Sequence, residues 1–163
     1  MLSRDIWHKL VEWKKRDHHP LVIRGLRQVG KTYIVREFGK QFYKNTVYLD
    51  LRANQSVHSA FDGDFSVDRM VMMISAAIPS VRFLPQETLI IFDEIQDCPN
   101  ARSSLKYWAI DGRYDVIATG SFLGVKGFRK PYERGIPVGY EETTVLSSSE
   151  KYMTFSSYVS NSR

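Results

Sequence analysis

Eight consecutive residues, Gly25-Leu26-Arg27-Gln28-Val29-Gly30-Lys31-Thr32, restrict the fold of this chain more than any other segment. They fit the pattern G-x-x-x-x-G-K-[ST] at every fixed position, and that pattern has a physical requirement behind it. Glycines let a backbone wrap close around phosphate oxygens and turn its N–H groups inward. The lysine reaches the β- and γ-phosphates, and the threonine hydroxyl ligates Mg²⁺. Such a loop works between a strand and a helix, because the helix points its positive N-terminus at the same phosphates. Both neighbours are present. Leu21-Val22-Ile23, after Pro20, is a short apolar run of the buried-strand kind, and residues 31–43 carry a helical pattern. The set expected to face a nucleotide is Gly25, Leu26, Arg27, Gln28, Val29, Gly30, Lys31 and Thr32, with Tyr33 next on the helix.

The same strand–helix alternation recurs along the chain. Residues 5–16 place Ile6, Leu10 and Trp13 on one helical stripe that ends in Lys14-Lys15-Arg16. Residues 46–49 read as a strand, 67–78 as a helix closed by Pro79, and 88–92 as the strongest buried strand. A helix over 101–108 with Asn100 as its N-cap and a strand over 115–118 follow. Strands alternating with helices indicate an α/β fold, a parallel sheet covered on both faces. Residues 124–139 hold four glycines and two prolines and read as an irregular loop, and residues 143–146 as a final strand. The core is thus expected over 1–146. Residues 147–163 form a serine-rich tail in which Tyr152, Phe155 and Tyr158 lack a partner element, as at the start of a further, missing C-terminal part.

Two more strand ends carry polar chemistry. Leu89-Ile90-Ile91-Phe92-Asp93-Glu94 is an apolar strand finishing in two carboxylates. Beside a phosphate loop, Asp93 can hold the Mg²⁺ shell with Thr32, and Glu94 can orient and deprotonate an attacking water. Val116-Ile117-Ala118 runs into Thr119-Gly120-Ser121, whose hydroxyls at a neighbouring strand end can touch the γ-phosphate or that water. The candidate catalytic set is therefore Lys31, Glu94, Thr119 and Ser121, and the metal set Thr32 and Asp93.

Composition narrows the alternatives. In 163 residues, 43% of them apolar, there is material for one core, and no run approaches the ~20 apolar residues of a membrane span. A single cysteine, Cys98, excludes an internal disulfide and a cysteine-built zinc site. These features suit a cytoplasmic protein with no membrane partner. The net charge of +5 admits an anionic ligand or nucleic acid without proving either. No Asn-Lys-x-Asp string is present to read guanine, which leaves ATP/ADP as the expected nucleotide. His18 and His19 lack a third ligand at useful spacing. The mixed cations and aromatics of residues 126–134 suit a solvated loop or single-stranded nucleic acid, and Arg129 or Arg134 could reach a neighbour's nucleotide. The Ile6, Trp7 and Leu10 stripe suits an adenine pocket or core packing.

Residues 20–32, with Phe92-Asp93-Glu94-Ile95-Gln96 and Ile117-Ala118-Thr119-Gly120-Ser121-Phe122-Leu123-Gly124, resemble a group of AAA-type P-loop ATPases in which the core is followed by a C-terminal domain. The resemblance spans roughly residues 5–158. It implies a three-layer P-loop NTPase sandwich with a five-stranded, mainly parallel sheet in the order 5-1-4-3-2, and a glutamate that activates water. It implies Mg²⁺-dependent ATP binding and hydrolysis coupled to a partner domain or subunit, and a nuclease-like C-terminal domain, while the residues leave open whether the chain forms a homo-oligomer. One departure stands out: the residue after Ile136-Pro137-Val138-Gly139 is usually basic in the group and here is Tyr140. Two rivals remain: a nucleotide-binding module without turnover, and an ATP-switched nucleic-acid-binding protein.

Overall fold

The computed structural model describes residues 4–15, 19–25, 30–121, 140–146 and 152–158. Helix α1 (Arg4–Lys15) leads into strand β1 (Leu21–Gly25), followed by α2 (Lys31–Phe42) and β2 (Asn45–Asp50). A 3-10 segment (Gln55–Phe61) precedes α3 (Val67–Ala77), then β3 (Thr88–Asp93), a short 3-10 turn (Ile95–Asp97), α4 (Pro99–Asp111) and β4 (Asp115–Ser121). Strands β5 (Tyr140–Leu146) and β6 (Tyr152–Tyr158) complete the sheet.

Residue parity along the strands builds the three layers. Successive strand side chains point to opposite faces. Leu21, Ile23, Leu89, Ile91 and Ile117 pack with α1 and α2. Val22, Val47, Leu49, Ile90, Phe92, Val116 and Ala118 pack with α3, α4 and the Gln55–Phe61 segment on the other face. Every residue of β3 is buried, as a central strand with both faces covered requires. Each of its four large apolar side chains contributes roughly 1.5–3 kcal/mol of burial. The Ile6, Leu10 and Trp13 stripe of α1 is buried against α2, where Trp7 stacks edge-on to Phe38 at 5.6 Å, so that stripe is core packing.

The expected five-stranded sheet is corrected. Among the described residues the sheet has six strands in the order β2-β3-β4-β1-β6-β5. The four parallel strands read 1-4-3-2, as expected. The place beyond β1 belongs to β6, which runs antiparallel to it, and the strand expected at 143–146 lies within β5 at the outer edge. Residues 152–158, expected in the tail, therefore pair with the phosphate-loop strand. The physical reason is hairpin geometry. Two runs of good strand formers, Thr143-Thr144-Val145-Leu146 and Tyr152-Met153-Thr154-Phe155, are five residues apart, a common hairpin spacing. The last helix also begins earlier than expected: Cys98 takes the N-cap position and Pro99 opens α4, where a missing N–H costs nothing. Asn100 instead donates its side-chain amide to Asp62 Oδ1 at 3.1 Å.

Candidate phosphate and metal site

The C-terminal ends of β1, β3 and β4 and the first turn of α2 meet at one edge of the sheet. Gly30 occupies the N-cap position of α2 with φ +89°, in the left-handed region that glycine enters at little cost. Its carbonyl accepts the first helical bond, from Ile34 N at 3.0 Å. Lys31 and Thr32 therefore stand on the opening turn, where backbone N–H groups are unclaimed within the helix and the dipole favours an anion. Residues 26–29, the centre of the loop, lie outside the described residues, as do Arg129, Arg134 and the rest of 122–139. For Gly25 and Ser121 only the backbone is described, each at the end of its strand and paired with the other.

Asp93 is the hub. Strand parity turns it toward α2, on the same face as Ile91, and it is only 6% exposed. Thr32 Oγ1 donates to both of its carboxylate oxygens at 3.1 Å. Thr119 Oγ1, buried on β4, donates to Oδ1 at 2.5 Å. Tyr48, on β2, donates its phenol O–H to Oδ2. Burial, and then the bond to Asp93, push the Tyr48 phenol well above its ordinary range, so it remains a donor at neutral pH. Three of the four residues in this knot are the expected ones. Tyr48 belongs to no motif, and its signal lay in register, because β2 aligns Tyr48 with Ile91, one strand position of equal parity before Asp93.

Lys31 is buried to 7% exposure, and that desolvation lowers its pKa against the opposing pull of Glu94 and Asp93. Glu94 follows directly, at φ 56° and ψ 51°. A non-glycine residue in this region carries roughly 1–2 kcal/mol of strain, of the kind that gathers at functional sites. The turn brings its carboxylate to Gln96, which donates its side-chain amide to Oε2, and to Arg52, whose guanidinium lies 3.7 Å away. Arg52 also bonds Asp97 at 2.8 Å. Tyr33, expected beside the nucleotide, is 60% exposed on α2.

The donor set suits a small hard cation. Among the described residues no group of three or more His, Cys, Asp or Glu side chains could enclose an ion. A buried carboxylate bonded to a threonine hydroxyl at a helix N-terminus could hold a cation such as Mg²⁺, which takes one or two protein oxygens and completes its shell with water and phosphate. Among the described residues, no helix is long and apolar enough to cross a membrane.

The profile of a family described as an AAA domain matches residues 17–127, more than half of the chain. A solved structure of C. elegans PCH-2 is similar at 15% identity and a TM-score of 0.41, covering 76% of this chain. The chain spans 35% of that structure's length. No curated protein matches the sequence significantly.

Proposed function

The chain belongs to the AAA domain family, and from that membership we propose that it binds ATP with Mg²⁺ and hydrolyses it to ADP and phosphate. The observation that carries the reading is the joining of Thr32, Asp93 and Thr119, from α2, β3 and β4, beside the left-handed Gly30. In this proposal Gly25, Leu26, Arg27, Gln28, Val29, Gly30 and Tyr33 surround the nucleotide, and Lys31 sets its ammonium against the phosphates. Lys31 is costly to keep charged in a buried place, and phosphate oxygens would offset that cost. Thr32 and Asp93 hold the metal, which when bound neutralises charge on the phosphate oxygens. Glu94 accepts the proton of an attacking water. In this reading Thr119 and Ser121 respond to the γ-phosphate, and the change passes to a partner domain or a neighbouring subunit. A nuclease-like C-terminal domain, as in the group that the sequence resembles, is the partner this reading favours.

A second reading, ATP binding without turnover, has its own support in Glu94. Its carboxylate is engaged by Gln96 and Arg52, and a base so held must be released before it can accept a proton. Calorimetric titration with ATP and Mg²⁺, followed by phosphate release on the same sample, separates the two. Saturable binding that Lys31→Ala abolishes, with phosphate release that Glu94→Gln abolishes, is the expected result. Binding with no release supports the second reading. No binding by a folded chain would remove both.

A further inference from the structure

Asp93 sits on the middle strand of three, and the two outer strands grip it from opposite sides. From β4, Thr119 holds Oδ1 at 2.5 Å, and from β2, Tyr48 holds Oδ2. Thr32 reaches both oxygens, from the helix above. Thr32 and Thr119 were legible as motif residues, whereas Tyr48 was not.

We propose that Tyr48 is a positioning residue for the divalent cation: its phenol hydroxyl fixes the Asp93 carboxylate in the orientation that receives Mg²⁺·ATP. The inference rests on the nucleotide reading above. A carboxylate turns about two single bonds, and a metal needs one lone pair aimed at one point. Donors anchored on neighbouring strands remove that rotation, since each strand is fixed in register to β3. The tyrosine ring is held in turn. It packs against the core shared by α1 and α2, and the Arg36 guanidinium lies 4.4 Å from its centroid, the geometry of a cation–π contact. The chain of support thus runs from Arg36 on α2 through Tyr48 to Asp93. It leaves Thr32 Oγ1 with a lone pair directed away from the carboxylate to which it donates. Partners that orient a metal ligand in this way change metal affinity by about 10–100-fold when removed.

Tyr48→Phe deletes one oxygen and leaves the ring and its Arg36 contact in place. ATP affinity is measured by calorimetry over a series of Mg²⁺ concentrations and again in EDTA, for the wild-type chain and the variant. Mn²⁺ binding, read by electron paramagnetic resonance, follows the cation directly. The expected result is a rise of about 10-fold or more in the Mg²⁺ concentration at half-effect, weaker Mn²⁺ binding, and unaltered affinity in EDTA. An unchanged or lower Mg²⁺ midpoint overturns the proposal, as does an equal loss in EDTA, which would mark a purely structural role. Arg36→Met, on the exposed side of α2, keeps the question open to test if loss of the hydroxyl unfolds the chain. A raised midpoint with retained EDTA affinity supports the role, and an unmoved one overturns it. A wild-type chain whose ATP affinity ignores Mg²⁺ would instead sink the nucleotide reading itself.

Discussion

Thr119→Val is the substitution that most directly tests the reading of the site, because it exchanges a hydroxyl for a methyl of similar shape. Thr119 is 1% exposed and its Oγ1 donates to the buried Asp93 carboxylate at 2.5 Å. A hydrogen bond to a charged group contributes about 1.5–3 kcal/mol, and its loss leaves Asp93 with Thr32 and Tyr48 of the three donors described above. The new methyl returns at most ~1 kcal/mol of apolar burial. The net cost is then about 0.5–2 kcal/mol, without a cavity to confuse it. For a chain of this length that corresponds to a fall of roughly 1–8 °C in Tm. Urea denaturation gives the free energy and calorimetric melting the temperature, both without nucleotide. A variant as stable as the parent would mean that Asp93 does not depend on Thr119 in the resting protein. The hydroxyl would then be free to serve the γ-phosphate alone, and the three-donor account of the site would be wrong.

Three further outcomes follow from the same structure. Gly39 lies in α2 where an added Cβ would come within 2.9 Å of Thr46 Oγ1 and 3.2 Å of a Leu89 methyl. Gly39→Ala should therefore forfeit the ~1 kcal/mol that a helix normally gains from this exchange, and a more stable variant in urea would contradict the close packing. Tyr43 donates to Asp115 Oδ2 at 2.5 Å, and burial together with that charge raises its phenol well above the ordinary 10.0. The unfolded chain then binds fewer protons than the native one above pH 10, so stability should fall as pH rises through that window, by up to ~1.4 kcal/mol per unit for this residue. Tyr43→Phe should flatten the slope, and equal slopes in both proteins would refute the assignment. Cys98 is 4% exposed and burial raises its thiol pKa, so a thiol reagent should label it only as fast as the protein opens. Rapid labelling of the native chain would show that the start of α4 is looser than described.

How much of this could be read from residues alone depended on how local the determining physics is. The convergence of Thr32, Asp93 and Thr119 was legible because each closes a strand or opens a helix at the same edge of the sheet. Tyr48 was not, since nothing within β2 distinguishes it; only the register with β3 brings its hydroxyl to Asp93. Arg52 escaped for the same reason, lying on a turn that approaches Glu94 only once the sheet has formed. The strands of the parallel half were readable from runs such as Leu89-Ile90-Ile91-Phe92, where full burial leaves a continuous apolar signature. The terminal hairpin was hidden by its serines. Ser156 and Ser157 look like tail residues, yet they pair with Val22 and Leu21 through backbone groups that carry no side-chain signature.

The pairing of β1 sets an order on folding. Leu21 is bonded on one side to Ile117 and on the other to Ser157, so the strand that launches the phosphate loop waits for segments made long after it. By contrast β2 and β3 are neighbours in both sequence and space. Non-local contacts of this kind form slowly, because loop closure must precede their reward. We predict that β1 is the last of the parallel strands to be protected during refolding, which pulse-labelled hydrogen exchange would show and which early protection of Val22 and Ile23 would disprove. On the ribosome, residues 21–25 would then emerge early and stay without their sheet partners until residues 115–121 and 152–158 have followed.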